Sequence, residues 1–200
     1  MRRRRGPAAA GDAAVIESSW REPERFAVLF DRHAPHIYRY LARRAGRQVA
    51  DDLVAETFLT AFAKRDRYDL TRPDARPWLY GIATNLVGQH HRDEARQYRI
   101  SQATAAEPEV PGHAERVAAD VTAQAMRTAL AGALAALSPG DRDVLLLIAW
   151  EQLTYQEVSR ALDIPVGTVQ SRLHRARAKV RQALAGTDAA ATYEELTTND

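Results

Sequence analysis

Cysteine is absent from the chain, which excludes disulfides and thiol catalysis and fits a reducing compartment. Long apolar runs are missing as well, and none approaches the roughly 20 residues that span a bilayer. The arginines at 2–5 carry the charge of a signal n-region, but 7–12 is small and polar where an apolar h-region would follow. We therefore read no secretion signal and expect a cytoplasmic protein. Runs of β-branched residues are few in a palette of Ala, Leu, Arg and Glu, which points to an all-α fold. The net charge is only +2, so any nucleic-acid binding has to come from local patches. Nucleophile–base constellations, Gly-rich phosphate loops and plausible metal sets are also lacking, so we expect neither an enzyme nor a cofactor. His33 and His36 lie three apart beside Asp31, but a third ligand at helical spacing is missing. They read as exposed or half-buried helix polar groups rather than a metal site.

What the chain does have is concentrated in 154–184. Thr154 stands where it can cap a helix, with Glu157 three residues on as a capping-box partner. Tyr155, Val158 and Leu162 give that helix one apolar face. Pro165 biases Ile164 away from helical geometry, and Gly167 offers backbone freedom at the turn. Thr168 is a second good N-cap. In the helix that follows, Val169, Leu173, Ala176, Val180 and Leu184 share one stripe, while Ser171, His174, Arg175 and Lys179 lie on or near the other side, flanked by Gln170 and Arg172. From 168 to 186 there are five Lys or Arg and no acid. A capped helix-turn-helix with an apolar back and small polar residues beside arginines suits the major groove of DNA. A solvated basic helix on an ordinary bundle is the blander alternative, and the helix-turn-helix in front of it favours DNA.

Ahead of this stretch, 1–20 reads as a disordered basic tail. Periodic apolar residues begin at Phe26, Leu29 and Phe30 and continue to Ile37, Tyr40 and Leu41; Pro35 among them predicts two short helices or a kink. Gly46 ends that unit. The spacing predicts a helix over 48–67, with Leu53, Val54, Thr57, Phe58, Ala61 and Phe62 on its apolar face. Asp51, Asp52 and Glu56 cluster early in it, where acids either favour the helix dipole or form an acidic docking face. A polar loop follows over 66–76, and Pro77 opens another helix. There Trp78 reads mainly as a core anchor, and a weak pattern of aromatics and bases, among them Arg92, Arg96 and Arg99, suits single-stranded DNA. The stretch 101–123 nets −3 with two prolines and reads as a linker. Residues 124–186 form a second helical domain, in which Ser138 or Asp141 caps a helix, and the acidic 187–200 forms a tail.

With these pieces in place, the chain resembles a small bacterial RNA polymerase sigma factor of the extracytoplasmic-function (ECF) group. The likeness rests on ADDLVAETFLTAFAKRDRYD and DARPWLYGIATNLVGQHHRDEAR within 50–96, and on DRDVLLL, LTYQEV, IPVGTV and SRLHRAR in that order within 136–180. The resemblance implies two small helical domains joined by a flexible acidic linker. It implies that Asp51, Asp52 and Glu56 in 21–100 dock on core RNA polymerase. In the same domain, Arg67, Asp69, Arg72, Asn85, Gln89, Arg92 and Arg96 would meet minus-ten promoter DNA, the loop 66–76 helping to trap a flipped base. Thr168, Gln170, Ser171, Arg172, His174, Arg175 and Lys179 would meet the minus-thirty-five element. An anti-sigma factor is a further partner that the resemblance raises. Two positions depart from the expected pattern: Gln170 stands where an arginine is expected, and Gly88, Gln89, His90 and His91 stand where more arginine is expected. Both departures remove fixed charge from the DNA surfaces. The competing reading is a stand-alone helix-turn-helix regulator, which would bind duplex DNA tightly without polymerase.

Overall fold

The structure, a computed structural model, describes residues 10–104 and 120–185. The arginine run, most of the expected linker and the acidic tail lie outside the described residues. Those described form eight α-helices and no strand. Among them no helix is long and apolar enough to cross a membrane. Contacts divide the chain into two compact units, the first holding residues up to 95 with 156–163, the second the rest.

The first unit opens with α1 (Asp12–Ser18), in a stretch whose sequence reads as tail. Its seven residues are too few to be helical alone; it forms because it is docked. Val15 and Ile16 are buried, and Asp12 is anchored as described below. A 3-10 turn (Pro23–Phe26) leads into α2 (Ala27–Ala45), which runs unbroken through Pro35. The two short helices that Pro35 suggests therefore do not occur. The apolar stripe Leu29, Ile37, Tyr40 and Leu41 is buried as one face and spans the proline, so packing outweighs the missing donor. Gly46 stops α2 at φ 87°, a conformation that suits glycine, and α3 (Arg47–Ala63) starts at once.

α3 lies along α2 with Leu53, Val54, Thr57, Phe58 and Ala61 buried. It stops four residues short of the predicted end, and a second 3-10 turn (Arg65–Arg67) continues the chain. Edge-to-face ring pairs join α3 to α2 and to the turn before it: Phe30–Phe58 at 4.9 Å and Phe26–Phe62 at 5.4 Å. α4 (Arg76–Thr104) is tied to α2 by Tyr40, whose ring meets Tyr80 edge-on at 5.4 Å and whose hydroxyl bonds the Thr84 hydroxyl at 2.8 Å. α4 runs four residues into the expected linker. α7 (Tyr155–Leu162) groups with this unit, with Val158 fully buried.

The second unit packs α5 (Asp120–Ala135) and α6 (Pro139–Ala149) against α8 (Val166–Leu184). Ser138 caps α6 by accepting from the Asp141 amide at 3.2 Å. Arg142 reaches back to the end of α5 and donates to the carbonyls of Leu134 and Ala135, each at 2.8 Å. It thereby satisfies acceptors that a helix C-terminus leaves orphaned. Val144, Leu147, Val169, Ala176 and Val180 fill the interior. The turn before α8 differs from expectation. α8 begins at Val166 with Pro165 as N-cap residue, so Thr168 is inside the first turn and does not cap. The left-handed residue is Asp163 at φ 51°, not Gly167. Asp is among the few non-glycine residues that adopt that region readily, and Pro165 has the fixed φ that sets up a helix start.

Candidate polymerase and promoter interfaces

Three surfaces hold the residues singled out above. On α3, Asp51, Asp52 and Glu56 are all exposed. Asp52, Glu56 and Leu59 follow one another at helical spacing, and Leu59 is 69% exposed, the most of any large apolar residue described. Beside them a shallow groove between α2 and α3 is lined by Phe30, Ala34, Pro35, Tyr38, Arg39, Asp51 and Val54. Acid beside exposed apolar surface can offer a partner both charge steering and burial. Sequence periodicity assigns Phe30 to the core, but its ring is 44% exposed at the groove. Leu59 falls off the buried stripe, and that offset is the signal that could have marked it.

The second surface is the loop between the 3-10 turn at Arg65–Arg67 and α4. Its interior is Tyr68, whose ring packs on Trp78 at 4.9 Å and whose hydroxyl donates to the carbonyls of Arg72 (2.9 Å) and Asp74 (3.1 Å). Burial, then the charges of Asp12 and Asp74, push the Tyr68 phenol up to about 12, so it stays a donor. Asp69 accepts from the Thr71 amide and hydroxyl and pairs with Arg72 at 2.8 Å. The bonds from Thr71 hold the exposed Asp69 carboxyl below the usual range. Asp74 accepts from the Arg76 amide at 2.8 Å and so starts α4. The loop is thus built, with Arg67, Asp69 and Arg72 on its outside.

Along α4, Asn85, Gln89, Arg92 and Arg96 are exposed and spaced 4, 3 and 4 apart, which puts them on one stripe. Trp78 is half-buried against Tyr68, a core anchor on one side only. His90 and His91 both approach Glu94, at 3.4 Å each.

The loop is also held from outside. Asp12 accepts from the Ala75 amide at 3.0 Å, from Arg32 at 2.9 Å, and pairs with His33 Nε2 at 2.7 Å. Burial alone pushes the Asp12 carboxyl up, but the bonds from His33, Ala75 and Arg32 and the charge of His33 outweigh it and hold it at about 2. His33 is buried in this pair, while His36 is exposed, so the two histidines do not converge.

The third surface is α8. Val169, Leu173, Ala176, Val180 and Leu184 are buried, as the periodicity requires. Gln170, Ser171, His174 and Lys179 face out, and Thr168 is half-buried. Ser171 donates to the Thr168 carbonyl at 3.1 Å, leaving its oxygen free to accept. The two arginines behave differently. Arg175 grips the buried Asp141 of α6 with Nη2 at 2.8 Å and Nε at 3.4 Å. Arg172 lies over the first turn of α6, where a Cβ on Gly140 would stand 2.6 Å from its Nη1. Both fold back on α6, a tie that the sequence pattern does not reveal. Burial raises the Asp141 carboxyl, yet the bonds from Arg175 and Ser138 bring it below the ordinary value.

Residues 29–97 match Sigma-70 region 2, and residues 127–180 match Sigma-70, region 4. Over 165 residues the chain is 34% identical to the RNA polymerase sigma factor CarQ of Myxococcus xanthus, a match covering 80% of this chain and 90% of CarQ. Over 186 residues it is 33% identical to the ECF RNA polymerase sigma factor SigE of Mycolicibacterium smegmatis, covering 88% of this chain and 65% of that relative, just under two thirds. Among solved structures it is similar to CnrH in complex with the cytosolic domain of CnrY, with a TM-score of 0.62, 25% identity, and coverage of 88% of this chain and 97% of that one.

Proposed function

The chain belongs to the ECF sigma factors, which bind core RNA polymerase and direct it to promoters, and from that premise we propose which of its surfaces carries each step. The acidic face of Asp51, Asp52 and Glu56, with Leu59 and the α2–α3 groove, docks on core polymerase. The loop carrying Arg67, Asp69 and Arg72 holds a base flipped out of the minus-ten element, and Asn85, Gln89, Arg92 and Arg96 track the opened strand beside it. α8 enters the major groove at the minus-thirty-five element, where Gln170, Ser171 and His174 face the base edges, Thr168 and Lys179 lie toward the backbone, and Arg172 and Arg175 hold the helix against α6. The chain makes and breaks no bonds itself; polymerase does the chemistry. An anti-sigma factor competing for the groove is the second protein partner of this reading.

One observation carries the assignment: Asn85, Gln89, Arg92 and Arg96 on α4 and Gln170, Ser171, His174 and Lys179 on α8 are exposed, and the α8 stripe of Val169, Leu173, Ala176 and Val180 is buried behind the latter. The test is transcription in vitro from sheared genomic DNA by purified core polymerase, with and without the protein, mapping new 5′ ends. Discrete new starts sharing paired upstream elements are expected. Core-independent binding to duplex DNA with no new starts would instead return the stand-alone regulator. Reversing Asp51 and Asp52 to Lys should abolish holoenzyme assembly in a protein that stays helical. Normal assembly would remove the docking assignment.

A further inference from the structure

α1 and the exposed Trp20 have no part in that division of labour, yet they touch both ends of the minus-ten loop. At the loop's start the Trp20 indole donates to the Arg65 carbonyl at 3.2 Å. At its end the Asp12 carboxylate accepts from the Ala75 amide at 3.0 Å. These bonds cross 45 and 63 residues of sequence. We propose that Asp12 and Trp20 are positioning residues for base capture, holding the loop in the shape that receives the flipped nucleotide. The proposal rests on the loop's assignment to the minus-ten element.

The physical case is one of leverage. Tyr68 and the Asp69–Thr71 turn fix the loop's internal shape. Tyr68 also packs on Trp78 of α4, but neither feature ties the loop to α2. Asp12 does, because the same carboxylate is gripped by Arg32 and His33 of α2. The loop's end is thereby referenced to the helix that carries the polymerase groove. Trp20 is 44% exposed, so its ring is not placed mainly to fill the core. Its indole N–H is directed at the Arg65 carbonyl. A pocket that must meet a swung-out base needs its groups held to within about 0.5 Å, which a loop anchored only through its own turn does not ensure.

The experiment uses holoenzyme built with the full chain and fork-junction DNA whose single-stranded minus-ten positions are made abasic one at a time. In the parent protein the captured position should stand out, losing roughly 5- to 150-fold in affinity, the range of one stacked base. In Asp12→Ala and in Trp20→Phe this position-specific penalty should shrink toward one, while penalties elsewhere and core assembly stay as they were. Trp20→Phe keeps an aromatic ring at this exposed position and removes the N–H donor, so it reports even if Asp12→Ala fails to fold. A role in stability alone would lower the active fraction equally on every template and leave the pattern of penalties unchanged; that result overturns the proposal. Arg72→Ala separates the two layers. If it flattens the pattern and the α1 variants do not, the inference fails alone. If no position stands out even in the parent, the loop's assignment fails and takes the inference with it.

Discussion

Each unit buries one aspartate in the first turn of a helix, and the two are used in opposite ways. Asp12 gives its carboxylate to a backbone amide and to two side chains of α2 that are themselves largely covered. Asp141 gives its carboxylate to Arg175, whose side chain remains 54% exposed. The first arrangement locks a loop between two helices; the second tethers a long arm on the rim of the helix proposed to face DNA. A closed anchor is costly to break because every partner it loses stays buried. A half-open one costs less, because water takes over the freed guanidinium.

The difference is tested first where it should be largest. α1 is held by its apolar side as well as by Asp12, and Ile16 is fully buried. Ile16→Ala should cost about 2–5 kcal/mol through lost burial and the cavity left behind. Denaturant unfolding of the full chain, followed at the aromatics of the first unit, would show it. A loss below about 1 kcal/mol would mean that α1 is only loosely docked and that Asp12 alone holds it.

The closed anchor should also leave a trace in pH. The folded pKa of Asp12 is depressed from 3.8 to about 2, so its stabilisation is complete above the unfolded value and disappears as pH falls through that window. The shift corresponds to about 2 kcal/mol. Measured against Asp12→Asn, which cannot titrate, the parent's stability advantage should shrink by about that amount between roughly pH 5 and pH 2. An advantage that is flat across the window would show that the ion-pair network around Asp12 is not formed in solution.

The same anchors mark the limit of what the residues reveal in order. The helices of the bundle were legible because their apolar residues recur at helical spacing, and the stripe on α8 is buried residue for residue as that spacing requires. The outward candidates Gln170, Ser171 and His174 follow from the same arithmetic. α1 was not legible: its buried apolar residues are two neighbours, Val15 and Ile16, in a run of alanines, and it is a helix only because partners distant in sequence receive it. The continuity of α2 through Pro35 and the left-handed Asp163 are also tertiary outcomes that override local preference. The turn residues Gly167 and Thr168 mislead because Pro165 already sets the helix start at Val166, ahead of them both. Asp141 reads in sequence as a capping residue, and nothing in its spacing from Arg175, 34 positions away, announces a pair.

That pair gives the smallest expected effect and the most informative one. Arg175→Ala and Asp141→Asn should each cost on the order of 1 kcal/mol in the second unit's unfolding, and together less than the sum, because each single change already removes the same contact. On promoters the outcome separates two roles for Arg175. A guanidinium reading a guanine edge would lose about 1–3 kcal/mol at one base pair when removed, and Asp141→Asn would leave that contact intact or strengthen it by freeing the arm. A guanidinium that holds the helix gives a small loss spread evenly over all single-base variants of the minus-thirty-five element, and the same pattern from either substitution. The geometry favours the second, since both Nη2 and Nε are directed at Asp141. Position-specific losses should then come from Gln170→Ala and His174→Ala, whose side chains face outward. Holoenzyme binding to a panel of single-base variants of the element distinguishes the patterns. A position-specific loss from Arg175→Ala alone would make the second unit's anchor a reading group, resting on Asp141 only until DNA arrives.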